Sequence, residues 1–420
     1  MRLNEIDGSY YPSFFCIVLD CNCSALEAMN KYRSTFSHEF IHFLQDLILP
    51  YNIRMNLSYM NWFKNIRSVA VDKGRIKRPF DEWYYDSITT RTQFKYTFKS
   101  SIPIEKVWEM GYAKSTCKRL SGFDASYTGR YREFDVYRYD LPINKHKTYH
   151  LDASDMLEYI AYKIEAKQYG EKNLPQLPYH SIDLLFEKYG LSYVSEDIRI
   201  CISEFCLYND NPVHMLFLDF LDNENFKNII KGLSYKDVYQ QLINHKFETK
   251  DGVIESVSSK KIRRLKQFAE YLSTTYKCFP DIASWVLKAN DFASTNFSQR
   301  FIFSDLYNMD KTNFESIVRL ITSEVGIPLL LNKKEKYESL NVTNPTSHQF
   351  EQFYILQKFI THALSKSKNT SCPILNFCTE NYQLKNKNCQ RKGKLKISDT
   401  EGCPYNVFLQ SYGLLNIDEN

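Results

Sequence analysis

The feature that most constrains the fold is a long succession of helix-forming segments in the second half of the chain. From Ser154 onward, apolar residues recur at the three- and four-residue spacing of amphipathic helices almost to the C-terminus. The segments are 154–169, 181–189, 194–208, 235–246, 258–277, 312–325 and 347–366. This pattern predicts an all-helical C-terminal region.

The first 150 residues are patterned differently. Residues 14–19 form an uninterrupted apolar run with the length of a buried strand. Within the stretch from about 64 to 150, Thr, Tyr and Phe alternate with charged residues, as at 94–99 and 134–139. A period of two is typical of β-strands. The sequence therefore predicts a strand-rich insertion at 64–150.

Together these patterns predict an α+β protein in three parts. We expect an N-terminal region at 1–170 that contains the strand-rich insertion, a mostly α-helical domain at 171–370, and a cysteine-containing basic tail at 371–420. A chain of 420 residues is long enough for each large part to bury its own core. Folding therefore does not require a metal ion or disulfides.

Composition narrows the functional classes. The formal net charge of +5 is small for this length and gives little support for nucleic acid or membrane as the main partner. The N-terminus lacks the apolar core of a signal peptide, and no run of about 18 apolar residues occurs. The eleven cysteines are an odd number without a framework spacing, so we expect reduced thiols and a cytoplasmic protein.

Residues 38–42 read His-Glu-Phe-Ile-His within a segment of helical spacing. That helix begins at Ser24 or restarts near residue 34 or 35, and it stops before Pro50. Two histidines four residues apart lie about 40° from each other around a helix, so the imidazoles of His38 and His42 can reach one ion. Glu39 lies about 100° from His38, where its carboxylate can contact water without binding the metal.

These residue types in this order suit metal-assisted hydrolysis. A catalytic zinc ion takes three protein ligands and leaves one position open for water, whose pKa it lowers to about 7. Glu39 then has the position of a general base. Gln45 and Asp46 fall in the same polar sector of the helix, and Asp46 could accept a hydrogen bond from His42. The alternative is a chance match on a solvated helix face.

The sequence His38-Glu39-Phe40-Ile41-His42 resembles the motif of the zincin metallopeptidases. The resemblance implies a zincin-like catalytic region at 1–170, in which His38 and His42 bind Zn²⁺ and Glu39 is the base. The chain departs from the metzincin branch, which has a glycine and a third histidine shortly downstream. Here those positions are occupied by Leu44, Gln45, Asp46 and Ile48.

The third ligand must then come from elsewhere. In the gluzincin branch it is a glutamate on a later helix, often followed three residues on by a small residue. Glu158 with Ala161 fits that pattern, which makes Glu158 the expected ligand. The alternatives are Glu165, Asp155 and His150. For stabilising the oxyanion, Tyr149 and His150 lie just before the Glu158 helix.

Two further features lie outside the motif. Four cysteines near the C-terminus are the candidates for a closed zinc site, namely Cys372, Cys378, Cys389 and Cys403. Because their spacing is irregular, unliganded thiols are the default prediction. Basic clusters at 260–266 and 385–396 resemble phosphate-contacting surfaces. They support the alternative of a module that binds nucleic acid or protein and in which the metal helix is structural.

The function that the sequence predicts is that of a zinc metallopeptidase acting on a protein or peptide substrate. Regulatory, toxin-like and antiviral-defence roles all fit such an enzyme. The large helical domain offers room for a regulatory partner, and we expect no membrane association.

Overall fold

The computed structural model contains both helices and sheets, consistent with the expected α+β class. It describes residues 8–11, 14–80, 102–124, 130–145, 147–248, 252, 254–275, 279–297, 299–342, 347–365, 372–383, 403–415 and 417–419. The expected strand at 94–99 lies outside these residues.

The N-terminal elements surround the metal motif. Strands β1 (Gly8–Tyr11) and β2 (Cys16–Leu19) are followed by helices α1 (Ala25–Lys31), α2 (Arg33–Ile48) and α3 (Pro50–Lys73). Ser24 accepts a hydrogen bond from the backbone of Glu27 and so caps α1, and a new helix starts at Arg33 as one of the two sequence alternatives allowed. Because α3 continues to Lys73, the beginning of the expected strand-rich stretch is helical.

The next elements form a separate antiparallel sheet. After the short strand β3 (Arg75–Ile76), strands β4 (Lys114–Asp124), β5 (Arg130–Ile143) and β6 (Lys147–Leu151) pair in chain order. The expected strand at 134–139 lies inside β5. Helix α4 (Ala153–Tyr169) follows β6 directly, and a capping box made by Asp152 and Asp155 fixes its start.

The rest of the described chain is mostly helical, as expected, but it contains strands as well. The remaining elements are α5 (Gln176–Tyr179), α6 (Ser181–Lys188), α7 (Glu196–Cys206), α8 (Pro212–Met215), a π-helical turn (Leu216–Leu221), α9 (Glu224–Ile230), α10 (Tyr235–Ile243), β7 (Lys246–Glu248), β8 (Ile254–Ser256), α11 (Val257–Thr275), α12 (Pro280–Asn296), α13 (Ile302–Asn308), α14 (Lys311–Glu324), β9 (Ile327–Asn332), β10 (Tyr337–Leu340), α15 (Ser347–Leu364), α16 (Leu375–Tyr382), α17 (Pro404–Ser411) and β11 (Asp418–Glu419).

Two sheets join distant parts of the sequence. The four-stranded sheet has the order β1-β2-β9-β10, and β2 and β9 are parallel, with Cys16 opposite Leu329. Strand β11 pairs with β3. The buried apolar side chains form one continuous cluster from Phe14 to Ile417. The expected division at residues 170 and 370 remains a prediction, and this core runs through all three parts.

Helix α2 lies at the centre of this arrangement. It contacts β1 and β2 on one side and α3, α4 and α12 on others. Its apolar side chains are fixed by aromatic packing, since the ring of Phe43 contacts Phe15 next to β2 and Trp285 on α12. The high aromatic content therefore contributes to the core that holds the motif helix in place.

No helix in the described ranges is long and apolar enough to cross a membrane. The described cysteines are free thiols, consistent with the expectation from their spacing.

Candidate metal centre

Three side chains from two helices converge on one point. His38 and His42 project from α2, and Glu158 projects from α4. The Nε2 atoms of the two histidines are 3.2 Å apart, and Oε2 of Glu158 lies 3.2 Å from Nε2 of His38 and 3.4 Å from that of His42. Within the described residues, this is the one group of His, Cys, Asp or Glu side chains with metal-binding geometry.

The three distances are compatible with one tetrahedral metal ion. Ligand atoms about 2.0–2.1 Å from a tetrahedral ion lie roughly 3.3 Å from one another. The measured separations of 3.2, 3.2 and 3.4 Å match this edge length without rearrangement of either helix. The donor set of two imidazoles and one carboxylate is one that zinc and other transition metals accept.

The other nitrogen of each imidazole is held by an acceptor. Nδ1 of His38 lies 3.1 Å from Oε2 of Glu165, and Nδ1 of His42 lies 2.8 Å from Oε1 of Gln45. Such contacts place the proton on Nδ1 and leave Nε2 with a free lone pair toward the ion. Gln45 is fixed in turn, because its Nε2 donates to the backbone carbonyl of Leu157 at 3.1 Å.

Glu165 is thus close to the centre as a partner of His38. Its carboxylate also accepts from Ser34 and from Lys172, each at 2.6 Å, and its side chain is only 3% exposed. Ala161 lies between Glu158 and Glu165 on the same helical face and is fully buried. Helices α4 and α2 pack against each other, and Glu158 and Glu165 lie 3.2 and 3.1 Å from the two ring nitrogens of His38.

The expectation that Asp46 accepts a hydrogen bond from His42 was wrong, because Nδ1 of His42 contacts Gln45. The carboxylate of Asp46 instead accepts hydrogen bonds from the hydroxyl of Tyr10 at 2.8 Å and from Nδ2 of Asn52 at 3.1 Å. Its neighbour Gln45 takes the predicted role at His42.

Electrostatics couple the three ligand side chains. Burial alone would lower the pKa of His38, but hydrogen bonds to Glu158 and Glu165 outweigh it and raise that pKa to about 10. Burial would raise the pKa of Glu158, yet His42 and His38 hold it well below its ordinary value.

Glu39 lies beside this group and differs from Glu158 in its electrostatics. Its side chain is buried, and burial raises its pKa more than the neighbouring histidines lower it. It also packs closely against β1, because a Cβ added to Gly8 would lie 2.6 Å from Oε1 of Glu39. The raised pKa makes Glu39 a stronger base than a solvated glutamate.

The centre opens onto a cavity of about 260 Å³. Its lining residues are Gly8, Ser9, Tyr10, His38, Glu39, His42, Gln45, Asp46, Asn52, Ser154, Leu157, Glu158 and Tyr179. Two phenol groups, those of Tyr10 and Tyr179, therefore lie at the cavity. The ring of Tyr10 stacks near His42, and that of Tyr179 stands edge-on to His38.

The two residues expected to stabilise the oxyanion have other contacts. Tyr149 and His150 lie on β6, and neither is among the residues that line the cavity. The hydroxyl of Tyr149 donates to Asp155, a member of the capping box of α4. Nδ1 of His150 lies 3.2 Å from the carbonyl of Tyr139. Position in the sequence next to the Glu158 helix did not place either side chain in the cavity.

The basic cluster at 260–266 is largely built into the fold. Lys260, Lys261 and Arg264 on α11 are buried, and Arg264 pairs with Asp210 at 3.1 Å. Arg263 forms a bidentate salt bridge with Glu255. Because these side chains are buried or paired within the fold, most of the cluster is not available to contact phosphate groups. The second basic cluster, 385–396, and Cys389 lie outside the described residues.

Comparison of the chain with protein-family models, curated proteins and solved structures finds no match.

Proposed function

We propose that this chain is a zinc-dependent peptidase in which His38, His42 and Glu158 bind the ion and Glu39 is the general base. The observation that carries the proposal is the mutual spacing of the three ligand atoms at 3.2, 3.2 and 3.4 Å, with both Nδ1 atoms held by acceptors. The zincin resemblance and its gluzincin-like branch belong to this proposal, since they rest on the same residues.

Zinc bound there would polarise the substrate carbonyl and lower the pKa of a water molecule by several units. The proton transfers are carried out by a residue of the chain. Glu39 takes a proton from the attacking water, whose oxygen forms a bond to the carbonyl carbon of the peptide. The same carboxyl then delivers the proton to the amide nitrogen as the carbon–nitrogen bond breaks.

Burial of Glu39 supports this role. A carboxylate away from bulk water is a stronger base, and its proton is kept for the leaving amine instead of being lost to solvent. The phenol of Tyr179 lies at the cavity and is the candidate for stabilising the oxyanion there, since the hydroxyl of Tyr10 already donates to Asp46.

Strand β1 supports a peptide as the substrate. It is the edge strand of its sheet among the described residues, and Gly8, Ser9 and Tyr10 line the cavity. An extended peptide can add to such an edge through backbone hydrogen bonds, which would present its carbonyl groups to the metal centre. A protein or peptide substrate therefore fits better than a compact small molecule.

Metal analysis and peptide cleavage test the proposal together. We expect about one zinc ion per chain, lost in His38→Ala and in Glu158→Ala but retained in Glu39→Gln. Peptides cleaved by the wild type should be spared by Glu39→Gln at equal zinc content. Wild-type protein without bound zinc, or equal cleavage by wild type and Glu39→Gln, would contradict the proposal.

A further inference from the structure

Two cysteines are in contact in the bend between β2 and α1, outside the metal cavity. Residues 21–23 read Cys-Asn-Cys, and the sulfur atoms of Cys21 and Cys23 lie 2.9 Å apart. In an extended strand, residues two positions apart are separated by about 6.6 Å. The bend therefore brings the two thiols much closer together than their sequence spacing requires, and a disulfide bond of about 2.05 Å needs only a small further approach.

The backbone of both cysteines is held by the end of β9. The N–H of Lys333 donates to the carbonyl of Cys21 at 3.1 Å, and Nδ2 of Asn332 donates to the carbonyl of Cys23 at 3.0 Å. Nζ of Lys333 also lies 2.9 Å from Asp20. Asn332 and Cys23 are 309 positions apart in the sequence. The contact between the sulfur atoms is therefore fixed by the tertiary fold.

The two thiols differ in exposure and in direction. Cys21 is 6% exposed, and burial raises its pKa to about 11, so this thiol stays protonated. Its S–H is directed at the carbonyl of Cys23, 3.9 Å away. Cys23 is partly exposed, and its thiol donates to the sulfur of Cys21. A lone pair of Cys21 therefore faces the sulfur of Cys23, which is the one that solvent reaches more easily.

We propose that Cys21 and Cys23 form a modification site for hydroperoxides, at which Cys23 is oxidised first and Cys21 closes a disulfide. The sulfur of Cys23 attacks one peroxide oxygen, the O–O bond breaks, and the products are a sulfenic acid and an alcohol or water. The sulfur of Cys21 then bonds to that of Cys23. The S–O bond breaks, and the departing hydroxide takes the proton of Cys21 and leaves as water. The peroxide is reduced and the dithiol is oxidised by the same pair of electrons.

Peptide mapping of the full chain tests the site without zinc or a peptide substrate. Reduced protein is treated with hydrogen peroxide, alkylated with iodoacetamide, and digested with trypsin and Asp-N without reduction. Residues 20–31 are released as a peptide that contains Cys21 and Cys23 but no other cysteine. We expect this peptide to lose two hydrogen atoms and to carry no alkyl group. Dithiothreitol added before alkylation should restore both alkyl groups.

Serine variants separate the roles of the two thiols. In Cys21→Ser the sulfenic acid on Cys23 has no resolving thiol, so its labelling by dimedone should rise at least roughly tenfold above the wild type. In Cys23→Ser the buried Cys21 should remain an unlabelled thiol. Cys117 on β4 is the matched control, because it is exposed and has no cysteine beside it in the sequence. Its labelling should be the same in all three proteins.

Each outcome supports or overturns the inference. Alkylation of both Cys21 and Cys23 under conditions that oxidise Cys117 would overturn it, as would a disulfide from either one to a different cysteine. Dimedone on Cys21 in Cys23→Ser, with none on Cys23 in Cys21→Ser, would refute the order of the two steps. If Cys21→Ser does not fold, the wild-type peptide map alone decides. Because neither cysteine lines the metal cavity, failure of the peptidase proposal leaves this result unaffected.

Discussion

Glu204 should make the stability of this protein depend on pH. It lies on α7, is fully buried, and accepts hydrogen bonds from the backbone N–H of Ser304 at 2.7 Å and from its hydroxyl at 3.0 Å. These contacts lower the pKa of Glu204, but burial dominates and raises it to about 8. A glutamate in the unfolded chain has a pKa near 4.3. Between that pH and about 8, the folded state therefore holds a proton on Glu204 that the unfolded state has released.

The size of the effect follows from linkage. The folded protein binds about one more proton than the unfolded chain between roughly pH 5 and pH 7.5, so the free energy of unfolding falls by about 1.4 kcal/mol per pH unit. Glu204 should therefore contribute a loss of about 2–3 kcal/mol between pH 5.5 and 7.5. The loss should level off as the pH rises through the folded pKa of about 8.

Glu204→Gln isolates this contribution, because the amide keeps an acceptor for Ser304 and cannot ionise. Urea unfolding of both proteins at pH 5.5 and 7.5 gives the difference in unfolding free energy between wild type and variant at each pH. Titration of the metal centre cancels in that difference because both proteins share it. We expect Glu204→Gln to gain about 2–3 kcal/mol relative to the wild type between the two values. A difference that does not change with pH would show that Glu204 titrates as an ordinary glutamate, and the argument from burial would fail.

Three further perturbations test the site and its support. Gly8→Ala should lower kcat for peptide cleavage roughly 10- to 100-fold at unchanged zinc content, because the added methyl group would lie 2.6 Å from Oε1 of Glu39. Full activity would contradict this expectation and show that β1 shifts to accommodate the methyl group. Gln45→Ala should weaken zinc binding roughly 10- to 100-fold in competition with a chelator, because Nδ1 of His42 loses its acceptor, and unchanged affinity would contradict that role. Arg264→Met should destabilise the fold by about 1–3 kcal/mol in urea unfolding, since it removes the closest cation of Asp210, whose side chain is 24% exposed and keeps Arg54 at 3.7 Å; unchanged stability would refute this.

Local sequence was sufficient for most helices, because the periodic spacing after Ser154 and the cap at Asp152 marked them. The expectation that Glu158 on α4 lies near the histidines of α2 came from the resemblance to the gluzincin branch. Their convergence follows from side-chain direction on two regular helices. Whether zinc occupies the centre and hydrolysis follows remains a prediction.

Long-range contacts account for what the sequence did not indicate. Gln45 and Asp46 both lie in the polar sector of α2, but Asp46 is occupied by Tyr10 from β1 and by Asn52 from α3, whose positions depend on the tertiary fold. Tyr10 and Tyr179 had no motif to distinguish them among 31 tyrosines. The basic residues of α11 resembled a phosphate-contacting surface because their partners, such as Asp210, are far away in the sequence.

The pairing of β2 with β9 has a consequence for how the protein is made. Strand β2, which contacts α2, lies in parallel register with residues that are synthesised about 310 positions later, since Cys16 lies opposite Leu329. Closing so long a loop costs conformational entropy and slows folding. During translation, the two histidines are therefore synthesised long before the sheet that supports their helix can form. A nascent or truncated chain that ends before β9 lacks the strand that pairs with β2, so the proposed peptidase activity should appear only after β9 has been synthesised.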